Sequence, residues 1–375
     1  MHKRYTFRIY PTKNQRKVLN KTLELCRFVY NKTLETRKNA WEQEHKSLSL
    51  YDTQKMLTAW KKENPELKQV YTQVLRSPQL RVDLAYKAFF RRIKLGDTPG
   101  YPRFKGEGRY DSFTYSQFGF AIQDNRLILS KIGKVKIIQH REIQGDTKTL
   151  TIKRDSIGNW YAVFACEVDP IPLPISEMAI GIDMGLMSFA TFSNGEKIEN
   201  PRFFRKSEKE LTKANRKLSV TQKGNKEHEK RRKIVRQIYS HITNKRRDFA
   251  HKLSRMVVDK YGTIALEKLN VYGMVKNHCF AKSISDASWN QFVQYIVYKA
   301  EYAGRKCVLV DPRNTSKRCS RCGTLVEKDL SVRVHSCPTC GLTIDRDENA
   351  AINILALGLQ CLDVSPRSSP IRGRE

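Results

Sequence analysis

The sequence predicts a multidomain α/β protein: an N-terminal β-barrel carrying a helical insertion, a second domain of mixed strands and helices, and a small cysteine-rich element. Three observations carry this. The chain has 375 residues, the length of two or three domains. Hydrophobic periodicity switches repeatedly between two and 3.6. And Asp169-Pro170-Ile171-Pro172-Leu173-Pro174 places a proline at every second position, which neither a helix nor a central strand accepts, so a domain boundary is expected there.

In the first part, Tyr5-Thr6-Phe7-Arg8-Ile9-Tyr10 alternates like a strand. Thr12 and Gln15 fit a capping box, and Leu19, Leu23, Cys26 and Tyr30 recur at helical spacing behind it. A further helix is expected to start at Ser77-Pro78, with Val82, Ala85, Phe89 and Ile93 as its stripe. Pro99-Gly100-Tyr101-Pro102 breaks any helix. From about Ser112 to Val168 the chain reads as short strands and turns. Aromatics near Tyr110 to Phe118 could stack on bases, although barrel core is the favoured reading.

Beyond the prolines, Ala179 to Gly185 is a buried apolar strand and turn, and Ser188 to Gly195 a second strand ending in Asn-Gly. Residues 202–247 carry 17 Lys or Arg against 4 Glu. Ile234, Ile238, Ile242, Phe249, Leu253 and Val257 mark one helical face there. Such one-sided charge favours a nucleic-acid contact over a merely solvated helix surface. Thr263 to Glu267 is a short strand ending in a carboxylate. A helix from about Ser288 to Gly304, a strand from Cys307 to Val310 and a helix from Asp345 to Leu357 complete the order.

Lys and Arg number 70 against 38 Asp and Glu, a formal charge of +32. That charge repels itself and calls for a polyanion, nucleic acid first. It is spread along the chain rather than along one amphipathic helix, so a membrane partner is not expected. No apolar run reaches the roughly 20 residues that span a bilayer, and the N-terminus lacks an apolar signal core, so an intracellular (cytoplasmic) protein is expected.

Of nine cysteines, four form two Cys-x-x-Cys-Gly turns: Cys319, Cys322, Cys337 and Cys340. Two such turns give tetrahedral sulfur coordination, which suits a structural zinc, with iron or an empty site the alternatives. The glycines supply the backbone geometry. Four thiolates leave no open position, so His335 is not needed as a ligand.

Three carboxylates form a second set. Asp183 and Glu267 each end an apolar strand, and Asp347 opens a helix behind Asp345, a good cap candidate. Strands of one sheet ending at a common edge would bring them together. Clustered carboxylates repel unless cations lie between them, and two Mg²⁺ would activate a water and stabilise the leaving oxygen of a phosphodiester. Each acid alone is ordinarily structural; the set gains force beside the basic charge and the cysteine motif.

The ordered segments Gly181-Ile182-Asp183-Met184-Gly185, Ile264 to Val271, Asp311-Pro312 with Thr315-Ser316, the two cysteine pairs, and Asp345-Arg346-Asp347-Glu348-Asn349-Ala350-Ala351 resemble TnpB. This is a transposon-encoded nuclease family related to type V CRISPR effectors. Phe7 to Thr12, Cys26 to Asn31 and Gly100 to Phe104 resemble its N-terminal part, so the resemblance runs to about Leu359.

It implies a wedge-type β-barrel over 1–169 with a helical recognition insertion at about 12–95. It implies an RNase-H-like RuvC domain split into 177–314 and 344–360, with a basic insertion at about 202–260. A zinc ribbon that binds target nucleic acid would fill 315–343, leaving a disordered tail at 361–375. The catalytic, Mg²⁺-holding carboxylates map onto Asp183, Glu267 and Asp347, the last being the Asp two residues before Asn-Ala-Ala. The implied activity is guided cleavage of double-stranded DNA beside a short motif, with a guide RNA from the element's own end. Tyr101, Arg103, Lys105, Arg231, Arg232 and Lys233 are candidate nucleic-acid contacts. Some relatives have lost carboxylates and act as repressors; this chain keeps three. A guided DNA-binding repressor and a DNA-strand-transferring transposase are the alternatives.

Overall fold

The structure is a computed structural model that describes residues 1–116, 118–329 and 332–364. The chain divides into two compact units, Met1–Asp169 and Pro170–Glu375.

In the first unit, β1 (His2–Tyr10) leads into α1 (Lys13–Glu44), α2 (Leu50–Glu63) and α3 (Thr72–Lys94). The strands β2 (Ser112–Tyr115), β3 (Phe120–Gln123), β4 (Arg126–Leu129), β5 (Gly133–Ile138), β6 (Asp146–Arg154) and β7 (Trp160–Glu167) follow. They form an antiparallel sheet in the order β2-β6-β7-β1-β5-β4-β3. Tyr5, Phe7 and Ile9 alternate into its core, as their spacing requires. The sheet curls: the Tyr115 hydroxyl donates to the Ser130 carbonyl at 3.1 Å, and its ring meets Phe120 at 6.2 Å. Among the described residues no ladder joins β2 to β3, so the expected barrel is a curled sheet with edges. Tyr110, Phe113 and Tyr115 are core residues, and Phe118 is exposed.

Local rules set the start of α1 but not that of α3. Thr12 accepts from the Gln15 N–H, and the Gln15 side chain bonds back to the Thr12 N–H, closing the capping box. Leu19, Leu23, Cys26 and Tyr30 are all buried. The helix expected to start at Ser77-Pro78 instead starts at Thr72, with Pro78 buried inside it. Proline lacks the N–H that would bond the Val74 carbonyl. The Cys26 thiol of α1 points at that carbonyl from 4.0 Å. Ile93, assigned to the buried stripe, is exposed at the helix end.

In the second unit, β8 (Ala179–Asp183), β9 (Ser188–Phe192), β10 (Lys197–Glu199), β11 (Thr263–Glu267) and β12 (Lys306–Val310) form one sheet in the order β10-β9-β8-β11-β12. β8, β11 and β12 are parallel; β9 and β10 run antiparallel to their neighbours. Between β10 and β11 lie α4 (Phe203–Ser219) and α5 (Lys226–Lys260). Then come α6 (Val271–Val275), α7 (His278–Ala287) and α8 (Trp289–Tyr302), of which α6 and α7 were not expected. The hairpin β13 (Val334–Ser336) and β14 (Thr343–Asp345) precedes α9 (Arg346–Val364).

Ile180, Ile182, Ile264 and Leu266 pack against Val257 and Val258 of α5 and Phe292 and Ile296 of α8. The alternate residues face α9, where Ala265, Val310 and Ile354 form a second core. A sheet covered on both faces explains why its strands read as continuous apolar runs. α4 and α5 share a small core of Leu211, Val235, Ile238 and Ile242. Ile234, expected on that face, is exposed, and Val235 takes its place. α9 runs past Gln360 to Val364, so the tail expected to be disordered from 361 begins as helix. Residues 365–375 lie outside the described residues.

Candidate active site and four-cysteine centre

The carboxylates are positioned by register. Gly181 pairs with Ala265 and Ile182 with Leu266 in parallel β8 and β11, so Asp183 and Glu267 are the next residues on adjacent strands. Gly181 and Ala265 both face α9, because a Cβ on Gly181 would lie 2.1 Å from the Ala351 carbonyl oxygen and one on Gly358 would lie 2.5 Å from the Ala265 Cβ. Side chains alternate along a strand, so Asp183 and Glu267, two residues further on, face the same side. Asp347 lies one turn before Ala351, in the first turn of α9. The missing Cβ atoms at Gly181 and Gly358 thus let α9 press onto the sheet and carry Asp347 to the strand ends.

The electrostatics record this gathering. Burial pushes the Asp183 carboxyl well above the usual carboxylate range; Glu267 and Asp347 add to the shift, and Arg346 and the Met184 N–H partly oppose it. Burial also raises Glu267, against a hydrogen bond from Thr315. Asp347 accepts from Arg346 Nε and Nη2 at 3.1 and 2.9 Å. Asp345 has a different task. Its Oδ1 accepts from the Asp347 and Glu348 N–H groups at 3.0 and 3.2 Å, capping α9, and its Oδ2 pairs with Lys197 at 2.7 Å. Carboxylate oxygens are hard donors of the kind that suits a divalent cation such as Mg²⁺; among the described residues, the side chains close enough together to share one ion as they stand are the four cysteines.

The four cysteines form the tighter cluster, with Sγ atoms all within 4.8 Å of one another. Cys319 faces Cys340 at 3.6 Å and Cys322 faces Cys337 at 3.5 Å. The two turns repeat one pattern: Gly323 N–H donates to Cys319 O and Gly341 N–H to Cys337 O, at 2.9 and 3.0 Å. Gly323 and Gly341 have φ of 78° and 70°, the left-handed region their lack of Cβ permits. Hydrogen bonding with the Thr324 hydroxyl and backbone draws the Cys322 thiol down to about 6, while, against a hydrogen bond from the Leu342 backbone, burial and the neighbouring thiols push Cys340 up to about 12. His335 is buried beside Lys328 and is not part of the cluster.

Three polar residues that sequence reasoning gave no role surround these sites. Thr315 donates to Glu267 Oε1 at 2.6 Å. Asn349 donates to the Arg318 carbonyl at 2.8 Å and accepts from the Ser320 N–H at 2.9 Å. Asn353 donates to the carbonyls of Thr315 and Arg318 at 2.8 and 2.7 Å. The available signal was two asparagines four residues apart on an otherwise apolar helix face.

The candidate nucleic-acid residues fall in both units. Tyr101 bonds the Tyr86 hydroxyl at 2.9 Å and packs edge-on against Phe89. Arg103 is exposed. The Lys105 backbone is held at both ends by Asn31 of α1, at 2.8 and 3.0 Å. On α5, Arg231 and Arg232 pair with Glu227 and Glu229 at 2.7 and 2.5 Å, while Lys233 is exposed.

Comparison with known proteins places these features in a family. Residues 163–278 match the OrfB_IS605 profile, described as "Probable transposase". Residues 289–354 match "Cas12f1-like, TNB domain", and residues 1–46 match a "Helix-turn-helix domain", although 1–46 holds one strand and one 32-residue helix here. A Streptomyces pristinaespiralis protein named "Putative RNA-guided DNA endonuclease" is 36% identical over 95% of this chain and 89% of its own. "Putative RNA-guided DNA endonuclease InsQ" of Escherichia coli (strain K12) is 30% identical over 98% and 96%. The solved "Cas12f1-sgRNA-target DNA complex" shares the fold over 92% of this chain and 83% of that one, with a TM-score of 0.58 and 14% identity. The chain belongs to the TnpB family. Among the described residues no helix is long and apolar enough to cross a membrane.

Proposed function

We propose that this protein is an RNA-guided, Mg²⁺-dependent endonuclease that cleaves double-stranded DNA for a transposable element. The observation that carries the reading is the gathering of Asp183, Glu267 and Asp347 at one sheet edge by β8–β11 register and α9 packing. The names of its relatives point the same way. The sheet order, with β9 alone antiparallel to the other four strands, supports an RNase-H-like RuvC domain with α4 and α5 as an insertion.

In this reading the three carboxylates hold two Mg²⁺, whose chemistry is to activate water and stabilise the leaving oxygen. The protein's own part is placement. Asp183 and Glu267 ride on rigid strands, Asp347 on a capped helix, and Arg346 fixes Asp347. The cysteines hold a structural zinc and shape a ribbon over 315–343 that touches target nucleic acid. Sequence is read by pairing between target and a guide RNA from the element's own end, so the basic surface needs only to hold a heteroduplex by its backbone.

The test is cleavage of plasmid DNA by protein made with its element's RNA end, using matched and scrambled targets with and without Mg²⁺. Cutting of the matched target only, with Mg²⁺ only, is expected. Asp183→Ala should abolish cutting and leave RNA binding intact; a cleanly prepared variant that still cuts rules the site out. Specific binding without cutting by the unaltered protein would make it a repressor, and strand-transfer products without RNA a transposase.

A further inference from the structure

We propose that Thr315 is a positioning residue for Glu267, and that Asn353 holds Thr315 in place while tying it to the first cysteine turn. The proposal rests on the reading above, in which Glu267 holds metal.

The contact lies in the interior. Thr315 and Glu267 are 5% and 7% exposed, so little water competes for the 2.6 Å hydrogen bond between them. The threonine hydroxyl has one proton and two acceptors in reach, Glu267 Oε1 and the Pro312 carbonyl at 3.1 Å. The carboxylate is nearer and carries charge, so it takes the proton. Bonding Oε1 restrains the rotation of the carboxylate plane about the side chain's last bond.

Thr315 is itself held. Its carbonyl accepts from Asn353 Nδ2, whose second proton goes to the Arg318 carbonyl. Both donors of that amide are therefore used. One turn earlier, Asn349 bonds the same Arg318 carbonyl and the N–H of Ser320, which lies between Cys319 and Cys322. Asn349 is fully buried and Asn353 is 7% exposed. An unbroken run of hydrogen bonds thus leads from the first cysteine turn through α9 to Glu267. α9 carries Asp347 in its first turn and grips the segment that orients Glu267, so one helix sets the spacing of two of the three acids.

A merely structural threonine would stabilise the fold without altering metal affinity. A positioning one acts on affinity, as partners of metal ligands do, by about ten- to a hundredfold. The full chain would be titrated with Mn²⁺ by calorimetry, and single-turnover cleavage measured against Mg²⁺ concentration. Thr315→Val is expected to weaken Mn²⁺ binding about tenfold or more and to raise half-saturating Mg²⁺ equally, with cleavage largely recovered at saturation. Thr315→Ser, which keeps the hydroxyl, should restore both. Asn353→Leu should shift Mn²⁺ affinity in the same direction, which keeps the test open if Thr315→Val folds poorly. Unchanged Mn²⁺ affinity in Thr315→Val, or a Ser variant as weak as the Val one, would overturn the proposal. Glu267→Gln separates the two levels. If it binds Mn²⁺ normally, the metal reading fails and takes this proposal with it. If it weakens binding while Thr315→Val does not, only the positioning role fails.

Discussion

At the scale of single residues, Asp345 and Asp347 sit two positions apart and do different work. Asp345 spends its two oxygens on the helix cap and on Lys197, and those bonds together outweigh burial and hold its carboxyl below the usual range. Asp347 faces Asp183 electrostatically. Asparagine caps helices about as well as aspartate. Asp345→Asn should therefore cost at most about 1 kcal/mol of stability and keep most cleavage. Asp347→Asn should fold normally and lose cleavage by orders of magnitude. Thermal melts with cleavage rates of the two variants check this, and equal loss of activity in both would remove the distinction. The strand-end acids were legible because alternation and strand termini are local properties. Thr315 was not, because its role depends on Glu267, 48 positions away in the chain.

At the scale of elements, the cysteine turns were fully legible, since Cys-x-x-Cys-Gly fixes both ligand spacing and the positive φ that follows. They also yield a direct expectation. Cys337 is buried and its sulfur faces Cys322, so Cys337→Ser removes one of four donors at the heart of the cluster. Zinc content measured by mass spectrometry should fall from about one ion per chain, and melting temperature should fall with it. Unchanged zinc and melting would show that these thiols do not hold the metal. The start of α3 was misread for a reason that is also physical. A proline suits the first turn of a helix because its N–H is absent there without cost. Inside a helix the same absence orphans a carbonyl, and whether a distant group can face it is invisible locally. Here Cys26, on another helix, faces Val74. Likewise α9 can lie close on its sheet only because Gly181 and Gly358 meet neighbours from far along the chain.

At the scale of the whole molecule, the charge of +32 sets how strongly nucleic acid is held and how salt weakens it. Residues 202–247 contribute 17 of the basic groups, yet several are already neutralised: Glu227 pairs with Arg231, Glu229 with Arg232, Glu208 with Arg205, and Asp286 with Arg246. Lys233 is exposed on the same helix. A phosphate contact at Lys233 would release a bound counterion, whereas a lysine off the contact face would not. Binding of a random-sequence duplex should weaken linearly in log salt, and Lys233→Ala should flatten the slope by about 0.9. Lys21, paired with Glu66 on the exposed surface of the other unit, serves as the control, and Lys21→Ala should leave the slope unchanged. Fluorescence anisotropy across a salt series measures both. An unaltered slope in Lys233→Ala would take α5 off the nucleic-acid path and leave its charge as helix surface. A flattened one would place the backbone of the duplex along that helix.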